Sequence, residues 1–277
     1  ANMISIKDDR FIPGFAALAK AVQGNGARIA AQLYQAGRYA HSLFMEGRQS
    51  VSSSAVRSKF TGETPRALTV PEIRQVQENF GLAAARVKRA GFDAVEVIAS
   101  AGYLISQFLS PLVNRREDEY GGSFENRMRF GLEVAVEIRR MVGPDFPVIF
   151  RIAGHEFMEG GLENEAARTF AGELEKAGVD MINVTGGWHE TRVPQLTMAL
   201  PRGGYVYLAA GVKQAVSIPV MACNRINDPE LADRILRDGL ADLIGFARGL
   251  IADPELPKKA QAGRFEEINR CIACNQG

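Results

Sequence analysis

Short apolar runs and longer amphipathic stretches alternate along this chain, and each switch is marked the same way. Ala90-Gly91-Phe92-Asp93 leads into an apolar run at 94–98, and Ala177-Gly178-Val179-Asp180 into one at 181–184. Asp238-Gly239-Leu240-Ala241-Asp242 leads into a third at 243–246. Glycine after a helix takes the left-handed cap at no steric cost. An apolar run without alternation suits a parallel strand buried on both faces. Residues 28–33, 148–152 and 220–222 read as three more such strands.

The stretches between them predict helices. Thr69 with Glu72 forms a capping box, with Pro71 in the first turn. After it, Ile73, Val76, Phe80, Ala83 and Val87 step by three and four, so one stripe faces inward. Phe130, Val134, Ile138 and Met141 repeat the spacing, as do Phe170, Leu174 and Ala177. Residues 15–22 read as a helix feeding the first strand. Residues 41–65, rich in Ser, Gly and Arg, read as a long surface excursion.

Six βα units result. A right-handed series of this kind closes as a barrel or spreads as an open sheet. No Gly-x-Gly-x-x-Gly follows a strand, which weakens the dinucleotide-type open sheet. A (β/α)8 barrel takes about 250 residues and eight units. The expected fold is therefore α/β, a (β/α)8 TIM barrel lacking its first two βα units, with residues 1–264 as the partial barrel.

Charge and composition narrow the class. Thirty-three basic against 32 acidic side chains leave a net charge of +1, which gives no nucleic-acid footprint. Hydrophobic residues at 46% and charged residues at 23% are ordinary globular usage. No apolar run reaches the ~18 residues of a membrane helix, and ANMISIKDDR lacks the apolar region of a signal peptide. Three cysteines are too few for a disulfide scaffold, so a reducing cytoplasm is the expected compartment.

Barrel enzymes gather their chemistry at the C-terminal ends of strands. Those positions hold Gln32, Tyr103, Arg151, His189, Arg225 and Arg248. One such polar residue would be unremarkable, but six of six is hard to explain by packing alone. The bland readings are surface ion pairs for the arginines, a loop core for Tyr103 and a loop cap for His189.

The same positions lie in longer motifs. Ala31-Gln32-Leu33-Tyr34-Gln35-Ala36-Gly37-Arg38 and Gly102-Tyr103-Leu104-Ile105-Ser106-Gln107-Phe108-Leu109-Ser110-Pro111 resemble those of the Old Yellow Enzyme family of FMN-dependent ene-reductases. Residues 114–123 and Glu125-Asn126-Arg127 continue that signature. Gly187-Trp188-His189-Glu190, Asn224-Arg225-Ile226-Asn227-Asp228-Pro229 and residues 267–276 resemble the bacterial 2,4-dienoyl-CoA reductases and related enoate reductases of the family.

The resemblance implies roles. Gln32 would bond the flavin pyrimidine edge. Arg151 would stand near its N1–O2 edge, where a fixed cation balances the charge gained on reduction. Arg225 and Arg248, with backbone amides around Asn224 and Ala247, would hold the FMN phosphate. Tyr103 would protonate substrate carbon, assisted by His189. One departure is plain: where single-domain members carry a carbonyl-gripping His pair, this chain has Ile98 and Ala101. His155 and Glu156 follow Arg151 on a loop and either face substrate or, the commoner case, are simply solvated. His41 is a weaker candidate for the mouth, residues 115–119 read as charged surface, and Cys223 reads as a small buried hydrophobe.

Cys271-x-x-Cys274 alone is a zinc half-site or an unligated pair. The resemblance makes it the start of a [4Fe–4S] motif within 265–277, whose third cysteine would follow Gly277. Two thiolates cannot hold a four-cysteine cluster, so the cluster, together with a C-terminal domain binding FAD and NAD(P)H, is expected in a longer parent. The activity implied is FMN-dependent reduction of an activated C=C bond in an enoate or 2,4-dienoyl-CoA-type substrate. Alternatives are an amine or alcohol dehydrogenase of the same flavin lineage, a non-catalytic fragment or partner subunit, and a non-flavin phosphosugar barrel.

Overall fold

The computed structural model describes residues 4–191 and 197–274. Every predicted strand forms. In chain order the strands are β1 (Ala30–Leu33), β2 (Val51–Ser52), β3 (Arg66–Ala67), β4 (Ala94–Ala99), β5 (Val148–Ala153), β6 (Met181–Thr185), β7 (Val220–Ala222) and β8 (Leu243–Ile244). The helices are α1 (Ile12–Gln23), α2 (Val70–Arg89), α3 (Leu104–Leu109), α4 (Phe124–Val142), α5 (Asn164–Lys176), α6 (Val206–Lys213), α7 (Pro229–Arg237), α8 (Arg248–Ala252) and α9 (Leu256–Gln261). None of these helices is long and apolar enough to cross a membrane. The excursion at 41–65 is not wholly irregular, because β2 pairs in parallel with β3 just beyond it.

Two compact units divide the chain: residues 1–151 with 172–181, and residues 152–171 with 182–277. In the first, β1, β4 and β5 are consecutive neighbours, and Gln32 stands directly opposite Glu96 in the parallel β1–β4 pair. In the second, β6, β7 and β8 run parallel, with Ile182 opposite Val220 and Met221 opposite Leu243.

Helix α2 begins at the expected capping box, Thr69 and Glu72 each accepting from the other's backbone. Its buried stripe is rotated from the expected one. Ile73, Gln77, Phe80, Gly81, Ala84 and Val87 face inward, and Val76 and Ala83 flank them. Contact with α4 is the reason. A Cβ on Gly81 would lie 2.9 Å from the Glu137 side chain, so the helices touch where α2 carries no side chain. Gln77 is tolerated in that stripe because its amide donates to Glu133 at 2.6 Å, and Glu133 also accepts the Tyr120 hydroxyl at 2.8 Å.

The aspartates that follow the helix-ending glycines clamp the strands. Asp93 donates its N–H to the Ile29 carbonyl at 2.9 Å and accepts the Ile29 N–H on its carboxylate at 2.8 Å. Asp180 does the same to Val148 at 2.9 and 2.7 Å, and Asp242 to Val220 at 2.8 and 2.9 Å. Each carboxylate also meets a cation: Arg28, Arg139 and Lys213 respectively. One residue type thus pins the strand register at three places.

The clamp sets an acid limit. Hydrogen bonds from Gln23, the Ile29 amide and Arg28 bring the Asp93 carboxyl down to about 2. Lys213, and less strongly the Val220 amide, lower Asp242 against the opposing effect of burial. A folded-state pKa below the unfolded value stabilises above the unfolded pKa and is lost as pH falls through the folded one. Urea midpoints should therefore hold steady above the ordinary carboxylate value of 3.8 and drop between there and about 2. Asp93→Asn should flatten that drop; an undiminished slope would show that other carboxylates set it.

Candidate active site

In the first unit, β4 ends in a turn of two left-handed residues, Ala101 (φ 59°) and Gly102 (φ 85°), which releases Tyr103 at the cap of α3. Alanine adopts this conformation only under constraint. The constraint is Gln107, fully buried on α3. Its amide donates to the carbonyls of Gly102 at 2.6 Å and Ala36 at 3.2 Å. Its oxygen accepts the Arg38 N–H at 3.1 Å and the Ser52 hydroxyl at 2.8 Å. The Leu104 N–H donates to the Gln35 carbonyl at 3.0 Å. The turn bearing Tyr103 is thereby fastened to the segment after β1. Gln107 lies within a motif noted in the sequence, but nothing in its spacing marks it as this hub.

The Tyr103 ring meets Tyr34 edge-on at 5.0 Å and Tyr39 at 6.1 Å, and Tyr39 meets Phe60 at 5.5 Å. Desolvation, and secondarily repulsion from Tyr34, pushes the Tyr103 phenol above its usual value of 10. It stays protonated across neutral pH. Gln32 is exposed on β1 and its amide donates to Glu96. Arg151 is half-buried on β5.

In the second unit, the loops after β5 and β6 are joined. Gly154 donates to the Thr185 carbonyl at 2.6 Å and Gly187 to the His155 carbonyl at 2.7 Å. Trp188 is buried and His189 reaches solvent. Partial desolvation, opposed by Glu190, takes the His189 imidazole below its usual 6.5, so it is neutral at pH 7.

Beyond β7, Asn224 (φ 77°) and Arg225 (φ 52°) are both left-handed, an arrangement that non-glycine residues keep only when their surroundings enforce it. Asn224 and Thr185 exchange side-chain hydrogen bonds at 3.0 and 3.1 Å, and Cys223 donates its thiol to the Val184 carbonyl at 2.9 Å, buried as expected. Arg225 donates through Nη1 to the Thr197 carbonyl at 2.5 Å. Its Nε is buried with no acceptor among the described residues. Ala247 and Arg248 follow β8 at the start of α8, Arg248 half-buried. A buried guanidinium N–H without an acceptor, on a strained strand-end turn, fits an oxyanion of a phosphate-bearing cofactor.

Cys271 and Cys274 flank a left-handed Ala273 (φ 60°), whose N–H points at the Cys271 sulfur at 3.4 Å. Asn227 donates its amide to the Cys271 carbonyl. Among the described residues no three metal-binding side chains converge. Asn275 and Gln276 of that motif lie outside the described residues.

Parallel βα units carrying polar and charged side chains at their strand ends are the arrangement of the α/β TIM-barrel class. The chain belongs to the NADH:flavin oxidoreductase / NADH oxidase family, whose model matches residues 1–267. It is 60% identical over 276 residues to a metal reductase of Desulforamulus reducens and 45% identical over 278 residues to an NADH oxidase of Thermoanaerobacter brockii. All of this chain is covered in both matches, but it spans only 41% and 43% of those relatives. The solved structure of a 2-naphthoyl-CoA reductase with 2-naphthoyl-CoA matches 98% of this chain and 43% of its own, at a TM-score of 0.93 and 35% identity.

Proposed function

We propose that the chain binds FMN and reduces the activated C=C bond of an enoate or enoyl thioester, the 2,4-dienoyl-CoA type included. The observation that carries this reading is Tyr103, a desolvated phenol at a strand end, set by a strained turn between two tyrosine rings. Gln32, Arg151, Asn224, Arg225, Ala247 and Arg248 are the residues that the family resemblance would assign to the cofactor. When bound, FMN supplies a hydride for the β-carbon. Tyr103 donates the proton that the α-carbon requires and recovers one from solvent. His189, neutral, accepts and passes on that proton. Cys271 and Cys274 would be the first two ligands of a [4Fe–4S] cluster that, with an FAD domain elsewhere in a longer parent, brings electrons from NAD(P)H.

The test uses the full-length protein. FMN should give it flavin absorbance, and after reduction it should be reoxidised by methyl cinnamate or crotonyl-CoA without oxygen. No reoxidation by either would end this reading. Arg225→Ala should weaken FMN binding about 10- to 100-fold, the worth of a charge-assisted phosphate contact. Titration by flavin fluorescence reads it, and unchanged affinity would remove Arg225 from the site. A second reading rests on the 60% identity to a metal reductase: electrons pass to a metal ion as substrate, and Tyr103 is dispensable.

A further inference from the structure

The turn after β7 has two ends with different partners, and every residue in it and around it belongs to the second unit. Its first half holds the left-handed Asn224 and Arg225, and the buried Arg225 Nε has no acceptor among the described residues. Its second half reaches the cysteines. Asn227 is buried and donates its side-chain amide to the Cys271 carbonyl. Asp228 lies 3.8 Å from the Arg270 guanidinium and accepts the Glu230 N–H at 3.1 Å, which caps α7.

The cysteine segment is fastened at two points. At the end of α8, Asp253 accepts the Asn269 N–H at 2.9 Å and the Lys259 ammonium at 2.7 Å, and Asn269 donates to the Ala252 carbonyl at 3.1 Å. Beyond Asn269, its polar contacts with other described residues are those to Asn227, Asp228 and Glu230. The left-handed Ala273, whose N–H points at the Cys271 sulfur, keeps that conformation only while its surroundings enforce it. Packing does not explain Asn227. Its Oδ1 is buried without a donor among the described residues. A half-satisfied buried amide costs stability, and an apolar side chain would avoid the cost. What the amide supplies is one bond between the turn and Cys271. An oxyanion at the Arg225 Nε would provide the acceptor that the first half lacks and so favour the ordered turn. That order passes to Cys271 through the Asn227 amide.

We infer that Asn227 is a positioning residue that couples occupancy of an anion site at Arg225 to the order of the Cys271–Cys274 turn. This inference rests on the reading above in which Arg225 holds the cofactor phosphate, and it does not need the alkene chemistry. Loading the phosphate then shapes the thiol pair for whatever that pair ligates. The effect is reciprocal: a ligand that orders the pair tightens the grip on the anion by the same factor.

The experiment measures alkylation of Cys271 by iodoacetamide, read by peptide mass spectrometry, in full-length protein after its flavin and any bound iron are removed. Saturating FMN should slow it about 5-fold or more, the low end of coupling between sites. Inorganic phosphate should act in the same direction, and Cys274, already exposed, should change less. Asn227→Asp keeps the side-chain shape and removes the donated bond, so Cys271 should react at one rate with and without FMN. Asn227→Ala, which also lacks the amide, should behave alike. The ratio of the two rates separates coupling from general loosening, which raises both together. Flavin fluorescence in the same samples reports binding. FMN bound to wild type without slowing Cys271, or equal protection in the Asn227 variants, would overturn the inference and leave FMN binding standing. Wild-type protein that binds no FMN would remove both.

Discussion

Phenylalanine in place of Tyr103 should slow alkene reduction by about 10²- to 10⁴-fold, the range that one positioned general acid contributes. The substitution deletes only the hydroxyl. The ring contacts to Tyr34 and Tyr39 and the backbone turn remain. Burial and Tyr34 raise the phenol above 10, so wild-type alkene reduction should lose its acid only on an alkaline limb beyond that value. In Tyr103→Phe the limb should vanish with the rate. Flavin reduction by NAD(P)H, followed in the same protein, serves as the internal reference. A mutant that reduces methyl cinnamate at the wild-type rate removes Tyr103 from the chemistry and favours transfer to a metal ion.

Gly37→Ala should be the most damaging small substitution near the site. Gly37 has φ 61°, and a Cβ there would lie 2.1 Å from the Gln107 oxygen and 2.5 Å from its Cδ. No relaxation of one atom relieves this, because Gln107 is fully buried and committed to four partners. Backbone strain with a broken buried amide network costs about 3 kcal/mol or more. For a chain of this size that lowers the melting temperature by roughly 6 °C or more. The same displacement loosens Gly102, so alkene reduction should fall further than folding alone explains. Calorimetry and turnover on one preparation check both, and an unshifted melting temperature would show that Gln107 has another place to go.

Strand positions and βα order were legible because buried parallel strands leave unbroken apolar runs. The helix stripe on α2 was legible only to within one position. Gln77 and Gly81 are invisible to a hydrophobic count, one excused by Glu133 and the other required by contact with α4. For the candidate site, strand-end positions pointed to Tyr103 and the arginines as candidates, since chemistry-bearing side chains are conspicuous there. The amide bonds of Gln107 and Asn227 stayed hidden. Both side chains reach distant backbone and leave no mark in residue order. The aspartates after Gly91, Gly178 and Gly239 were visible as punctuation, but their grip on the preceding strand needs three-dimensional pairing to be seen.

Those aspartates fasten the strands at the rim where each begins, while Tyr103, His155, His189 and Arg225 all follow strand ends. The register clamps and the candidate chemistry therefore lie at opposite ends of the strands. Strand-end side chains that take no part in the clamps or in the Gln107 network can change while strand register stays fixed. The metal reductase, NADH oxidase and 2-naphthoyl-CoA reductase that this chain resembles can then differ in chemistry while sharing one chassis.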